Sequence, residues 1–240
     1  MPDAIILCGG AGLRLKSVTG DAPKSMARIA GRPFLELLLK QLRRHGFQRV
    51  VMAVGYQMEV IRSHFGRRAF GLFLQYSEEP SPLGTGGALR NAVDLVDSDC
   101  ALIMNGDSYT DADLYRFSLD HRAAKADVSL TVVPADRRND CGLVSLAQDG
   151  MVLGFKEKQT SAGPQYFNAG IYLAARSLLH EIPAGRKISL EEELFPKWLA
   201  DGKRVRGFIV PGACIDIGTP ERFQSAQDIL ANAELDKAAS

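Results

Sequence analysis

Over its first 134 residues the chain alternates short, almost wholly apolar runs with stretches whose apolar residues recur at helical spacing. Strand-like runs fall at Ala4–Cys8 ("AIILC"), Arg49–Gly55 ("RVVMAVG"), Gly71–Ser77 ("GLFLQYS"), Cys100–Asp107 ("CALIMNGD") and Asp127–Pro134. Between them, helical spacing runs over Pro33–His45, Gln57–Gly66, Gly86–Val96 and Ala112–Ala124. Pro33 suits a first helical turn, and Gly46 stands where that helix should stop. A strand that is apolar at every position must be covered on both faces. The pattern therefore predicts an α/β fold: a Rossmann-like, mostly parallel sheet with helices on both sides.

After about residue 135 the rhythm changes. Cys141–Lys158 reads as two short strands around an Asp149-Gly150 turn, a hairpin pattern. Tyr166–Ala174 is strand-like. Ser189 with Glu192 makes a capping box ahead of a helix that Pro196 should bend or reset. Thr219 followed by Pro220 opens a last helix. No internal repeat, low-complexity tract or linker interrupts the chain. The expectation is one domain over residues 1–235 with a small β-hairpin lobe, and a frayed tail over 236–240.

Bulk properties exclude several classes. Of 240 residues, 46% are hydrophobic and 24% charged, as in an ordinary globule. A net charge of +1 gives no overall attraction to nucleic acid or to a membrane surface, so any anion binding must be local. No apolar run approaches the roughly 20 residues that cross a bilayer. The start "MPDAIILCGG" has no basic leader region. Cys8, Cys100, Cys141 and Cys214 are widely separated and form no C-x-x-C pair. Buried free thiols in a reducing cytoplasm are the expectation, not a disulfide framework or a zinc site.

In open α/β sheets, ligands bind beyond the carboxyl ends of the strands. Three polar clusters sit at such ends: the opening loop, "NGD" at 105–107 and "DIG" at 216–218. The loop "LCGGAGLRLKSVTGDAPKSM" begins at Leu7 and carries Gly9, Gly10 and Gly12, then Arg14 and Lys24. It fits neither a dinucleotide fingerprint, since Leu15 stands where the last glycine belongs, nor a P-loop. An ordinary tight turn would explain the glycines alone. The two cations shift the reading to a phosphate chain, which backbone N–H groups and fixed positive charges can neutralise.

The loop resembles the pattern G-x-G-T-R-L-x-P-L-T-x-x-x-P-K-P of the sugar-1-phosphate nucleotidylyltransferases. The resemblance continues in order through "PLGTGGAL" (82–89), "NGD", "FKEK" (155–158), "NAGIY" (168–172) and "IDIGTPE" (215–221), nearly the whole chain. The branch it looks most like is the D-glycero-α-D-manno-heptose 1-phosphate guanylyltransferases. Leu13, Ser17 and Ser25 replace the family's usual threonine, proline and proline, which weakens arguments from loop rigidity but leaves both cations.

The resemblance implies a fold of the nucleotide-diphospho-sugar transferase type and a reaction needing no general base or covalent nucleophile. A sugar 1-phosphate oxygen attacks the α-phosphorus of a nucleoside triphosphate, with GTP and the heptose phosphate as the expected pair. Pyrophosphate leaves and a nucleotide sugar forms. Positioning and charge neutralisation then carry catalysis. By the resemblance, Arg14 holds the leaving β- and γ-phosphates, Lys24 the α-phosphate, and Asp107 and Asp216 a Mg²⁺ ion. The backbone at Leu7, Gly9, Gly10, Gly12, Gly84, Gly86 and Gly87 packs against the nucleotide. Lys158 binds the sugar phosphate. Glu157, Asn168, Asn105 and Gly170 line the sugar side. Glu78, Glu79 or a nearby carbonyl supplies an acceptor for guanine. The expected partners are these two small molecules, with no nucleic acid or membrane and a homo-oligomer left open.

Plainer readings stand beside these. Asp107 and Asp216 are also fit to be turn residues, "FKEK" a solvated hairpin edge, Asn168 a turn former and both glutamates solvated loop charges. The D-x-D at Asp111–Asp113 invites comparison with glycosyltransferases but reads better as a helix N-cap. His45, His64, His121 and His180 lie in or at the ends of the expected helices without ligand spacing and read as surface or helix-end residues. Other functions stay open: a hexose 1-phosphate with UTP, dTTP or CTP, mannose 1-phosphate with GTP, a nucleotide-sugar glycosyltransferase, or a non-catalytic sensor. Pyrophosphate release separates the transferases of the first kind from the last two.

Overall fold

The computed structural model describes residues 1–10, 12–134, 143–156, 165–212 and 214–238. Four parallel strands form the middle of a ten-stranded sheet. In sequence they are β1 (Asp3–Leu7), β2 (Arg49–Val54), β3 (Leu72–Glu78) and β4 (Cys100–Asn105). Their order across the sheet is β4-β1-β2-β3, and Ile5 lies level with both Val51 and Ile103. Successive side chains of a strand face opposite ways. Ala4 and Ile6 accordingly join a core with Leu35, Leu38 and Leu42 of helix α1 (Phe34–Arg44). Ile5 joins a second core with Leu89 and Ala92 of helix α3 (Gly84–Ala92), which follows helix α2 (Met58–Phe65) in the chain. Both faces are covered, so Ala4–Leu7 of β1 are all apolar.

The expected helix boundaries hold to within a residue or two. α3 starts earlier than expected, at Gly84, and passes into a 3-10 turn at Val93–Leu95. Helix α4 (Leu114–Ala123) is capped by Asp113, whose carboxylate accepts from Arg116 N at 2.9 Å. The D-x-D motif is thus an N-cap. His121 departs from expectation. It is 7% exposed, with Nδ1 2.7 Å from Ser129 Oγ, because its helix face packs on strand β5 (Val128–Pro134).

In the second half the sheet turns antiparallel. Strands β6 (Leu143–Leu146) and β7 (Val152–Lys156) form the expected hairpin, with Gly150 at φ +81 in its turn. The long strand β8 (Gln165–Ala175) organises this half. Its last residues run antiparallel to β4, its first residues antiparallel to β6, and its other edge pairs with β5. Strand β9 (Val205–Ile209) then lies parallel to β5. The β8–β5 register shifts between Asn168 and Tyr172, where Gly170 has φ +78. That bulge turns "NAG" towards the end of β4.

A short helix α5 (Arg176–His180) follows β8. At residues 189–200 Ser189 Oγ accepts from Glu192 N at 3.1 Å, as the capping box predicts. The return bond comes from Glu193, whose Oε1 accepts from Ser189 N at 2.9 Å. The first turn is a wide π-turn over Leu190–Leu194, and Pro196 restarts the chain as helix α6 (Phe195–Ala200). Thr219 caps helix α7 (Pro220–Ala238), with Oγ1 accepting from Arg222 N at 3.4 Å.

Candidate active site

The carboxyl ends of β1, β2 and β4 and the loop after β3 open into a cleft of about 610 Å³. Its tightness is built from glycines. A side chain at Gly9 would collide with the Glu79 carboxylate, and one at Gly106 would meet the Leu7 carbonyl at 2.6 Å. Gly12 has φ +59, and a Cβ there would lie 2.6 Å from Lys24 Cβ. Gly12 and the lysine are therefore one feature, since the loop folds back against Lys24.

Lys24 reaches Asp107, with Nζ 2.5 Å from Oδ2, and its side chain is only 14% exposed. Asp107 follows β4, and its backbone carbonyl accepts from Ile217 N at 3.0 Å. A two-residue ladder of Ser108–Tyr109 with Ile215–Asp216 sets Asp216 beside Ser108. A side chain at Gly218 would stand 2.7 Å from Asp216 Oδ1 and 3.5 Å from Lys24 Nζ, so the missing Cβ leaves room where ammonium and carboxylate converge. Asp216 accepts from Gly218 N and pairs with Arg222 Nη1 at 3.0 Å. The result is a row of alternating charge at this end of the cleft: Arg222, Asp216, Lys24, Asp107.

Of the residues named from the sequence, Leu7, Gly9, Gly10, Lys24, Gly84, Asn105 and Asp107 line the cleft. Arg14 is exposed on a 3-10 turn outside its lining. Gly86 and Gly87 serve packing: a Cβ on Gly86 would meet Leu194 at 2.6 Å, and one on Gly87 would strike the Arg186 carbonyl. Asn168 and Gly170 sit behind Asn105, 3.1 Å separating its Nδ2 from a Cβ at Gly170. Glu157 and Lys158 lie outside the described residues. Between the two glutamates, Glu78 is exposed and pairs with Arg62 at 3.4 Å, while Glu79 lines the cleft and accepts from Leu83 N at 3.0 Å. Ser25, a departure from the family loop pattern, lines the cleft, and so do Tyr56 and Lys187, which the sequence did not mark. Tyr56 follows Gly55 just past the end of β2, and Ser25 follows Lys24 on a 3-10 turn; Lys187 carries no local signal.

Burial pushes the Glu79 carboxyl up from its ordinary value, and the Leu83 N–H opposes that rise. Burial pushes the Cys8 thiol up strongly, so it stays protonated and non-nucleophilic. No histidine is among the lining residues. This suits chemistry that neutralises charge more than chemistry that needs an activated nucleophile. Among the described residues no three His, Cys, Asp or Glu side chains gather as a metal cluster. Asp107 and Asp216 nonetheless fit Mg²⁺, which commonly takes one or two carboxylates and completes its shell with substrate phosphates and water.

Comparison with known proteins identifies the chain's relatives. The family described as nucleotidyl transferase matches residues 3–233. The chain is 38% identical over 223 residues to mannose-1-phosphate guanylyltransferase of Mycobacterium tuberculosis, of which it spans 62%. It is 36% identical over 228 residues to D-glycero-alpha-D-manno-heptose 1-phosphate guanylyltransferase of Aneurinibacillus thermoaerophilus, covering 95% of this chain and 98% of that one. The crystal structure of HddC from Yersinia pseudotuberculosis superposes with TM-score 0.84 at 31% identity, over 96% of this chain and 100% of that one. A further structure of HddC, complexed with GMP-PN, superposes with TM-score 0.83.

Proposed function

The chain belongs to the nucleotidyl transferase family, and on that premise we propose that it transfers GMP from GTP to a sugar 1-phosphate, releasing pyrophosphate. The sugar we propose is D-glycero-α-D-manno-heptose 1-phosphate, the substrate in the name of a relative that matches end to end. Mannose 1-phosphate is the second reading, favoured by the 38% identity to the mycobacterial relative. The observation that carries the proposal is the convergence of Lys24, Asp107 and Asp216 below a glycine-lined cleft.

In this reading Lys24 neutralises the α-phosphate as the sugar phosphate attacks, held on line by Asp107 and by the loop behind it. Asp107 and Asp216 hold Mg²⁺, which when bound screens the phosphate charges. Arg14, on its exposed turn, takes the leaving pyrophosphate. Glu79 accepts from guanine N1–H and the exocyclic amine, a donor pair that uracil and thymine lack; Glu78 is too far out for that part. Asn105, Asn168 and Gly170 face the sugar; Lys158 is proposed to bind the sugar phosphate and Glu157 a sugar hydroxyl. The compartment we propose is the cytoplasm; among the described residues no helix is long and apolar enough to cross a membrane.

The test is a matrix of four nucleoside triphosphates against heptose, mannose and glucose 1-phosphates, read by pyrophosphate release. GTP with the heptose phosphate should turn over fastest. Faster turnover of UTP or dTTP with glucose 1-phosphate would reject the base and sugar but keep the chemistry. No pyrophosphate from any pair would reject the activity.

A further inference from the structure

Behind the sugar side of the cleft lies a hydrogen-bond relay that nucleotidyl transfer itself does not require. Its centre is Tyr172, wholly buried just past the bulge in β8. The Tyr172 hydroxyl lies 3.0 Å from Glu191 Oε1 and 2.8 Å from Asn168 Nδ2, with the Asn105 side chain close by. The second oxygen of Glu191 accepts from Thr85 Oγ1 at 2.8 Å, and Thr85 in turn accepts from Leu190 N at 2.7 Å.

Chemistry fixes the direction of these bonds. A carboxylate only accepts, so the single phenol proton goes to Glu191. The Tyr172 oxygen is then left with lone pairs alone: Asn168 offers it an NH₂ group, and Asn105 beside it can meet it only the same way. Asn168 Oδ1 accepts from Gly170 N at 3.0 Å, which closes the bulge. Asn105 Oδ1 remains buried without a partner beside the cleft. A buried acceptor left unpaired is unfavourable; rotating the amide would put the NH₂ in its place and could turn Oδ1 to the phenol only if Tyr172 had a proton to give. Glu191 withholds that proton.

We propose that Glu191 is a positioning residue for the sugar 1-phosphate. Acting through Tyr172, it locks the Asn105 and Asn168 amides in one orientation and so sets the hydrogen-bonding pattern of the cleft's sugar side. The kinetic part of this inference rests on the sugar-phosphate reading above; the relay itself does not.

Glu191→Gln introduces a side chain that can donate to Tyr172, freeing the phenol proton to turn to either asparagine. Tyr172→Phe removes the shared atom while keeping the ring that packs 5.4 Å from Phe195. Each variant, and the double variant, is assayed by pyrophosphate release with GTP and heptose or mannose 1-phosphate. In parallel, the side-chain amide signals of Asn105 and Asn168 are followed by ¹H–¹⁵N NMR. The KM for the sugar phosphate should rise about tenfold, the worth of one hydrogen bond. The KM for GTP should stay within about twofold, and the double variant should be no worse than the poorer single one. Both amide signals should shift in both variants. An equal rise in both KM values, additive effects, or unmoved amide signals would overturn the relay. If Glu191→Gln fails to fold, Tyr172→Phe carries the same test. A wild-type protein that released no pyrophosphate would reject the proposed activity, and the amide spectra would then decide the relay alone.

Discussion

Gly12→Ala tests whether the glycine loop exists to place Lys24. The added Cβ would stand 2.6 Å from Lys24 Cβ and 3.4 Å from its Cα. Carbon atoms rest about 3.5–4.0 Å apart, so the lysine or the loop must retreat by about 1 Å. A shift of that size at a positioned group can slow a reaction about a hundredfold. The left-handed backbone adds strain: φ is +59, and a non-glycine residue there is disfavoured by about 1–2 kcal/mol. For a chain of this size each kcal/mol moves Tm by roughly 2–4 °C, so the melting point should fall by about 2–8 °C with folding otherwise intact. Gly20→Ala separates the two effects. Gly20 also has positive φ, +61, but nothing lies within 4 Å of its Cβ position. It should lose stability and keep kcat. The assay is kcat for pyrophosphate release at saturating substrates, with Tm by circular dichroism. If Gly12→Ala turned over within about threefold of wild type, the loop would not be what places the lysine. If Gly20→Ala lost as much turnover as Gly12→Ala, general loop order and not contact with Lys24 would be the cause.

Lys24→Ala should lower kcat by at least about a hundredfold, comparable to losing one donor at the transition state, and should leave the fold intact because the side chain belongs to a loop; near-native kcat would remove it from the mechanism. Arg14→Ala should cost a similar factor if the exposed turn closes on the leaving group, and a variant altered in neither kcat nor KM for GTP would place Arg14 outside the site. Asp107→Asn and Asp216→Asn should be inactive yet folded, and EDTA should abolish activity that Mg²⁺ restores; full activity in chelator would remove the two-carboxylate site. Glu79 must be ionised to accept from both guanine donors, and burial raises its pKa. The KM for GTP should therefore climb as pH falls through that raised value, and Glu79→Gln should flatten the climb; an unchanged profile in the variant would assign the pH dependence elsewhere.

What was legible in the sequence follows from which interactions are local. The central strands could be read because burial on both faces demands runs of apolar residues, as at Ala4–Leu7, Val50–Val54 and Ala101–Met104, and the hairpin because Gly150 must adopt positive φ. Caps at Asp113, Ser189 and Thr219 were legible because a side chain bonds to an amide three residues on. The direction of β8 was not, since an apolar run has the same pattern whether it lies parallel or antiparallel to its neighbour. Glu78 and Glu79 differ only by parity at a strand end: with Ser77 facing in, Glu78 faces out, and only the turn that follows brings Glu79 inward to meet Leu83 N. The glycines of "PLGTGG" show the same limit. Gly84, Gly86 and Gly87 resemble a nucleotide loop, yet each is pressed against the 186–194 segment, about a hundred residues away in the chain, and no local rule can announce such a partner. Glu191 belongs to that segment too. A glutamate after a capping serine looks like helix-end decoration until Thr85 and Tyr172 are both found on its oxygens. The glycines that let helix and segment touch are therefore also what bring Glu191 within reach of the cleft. Substituting Gly86 by alanine should consequently disturb the Thr85–Glu191–Tyr172 bonds before it disturbs any nucleotide contact.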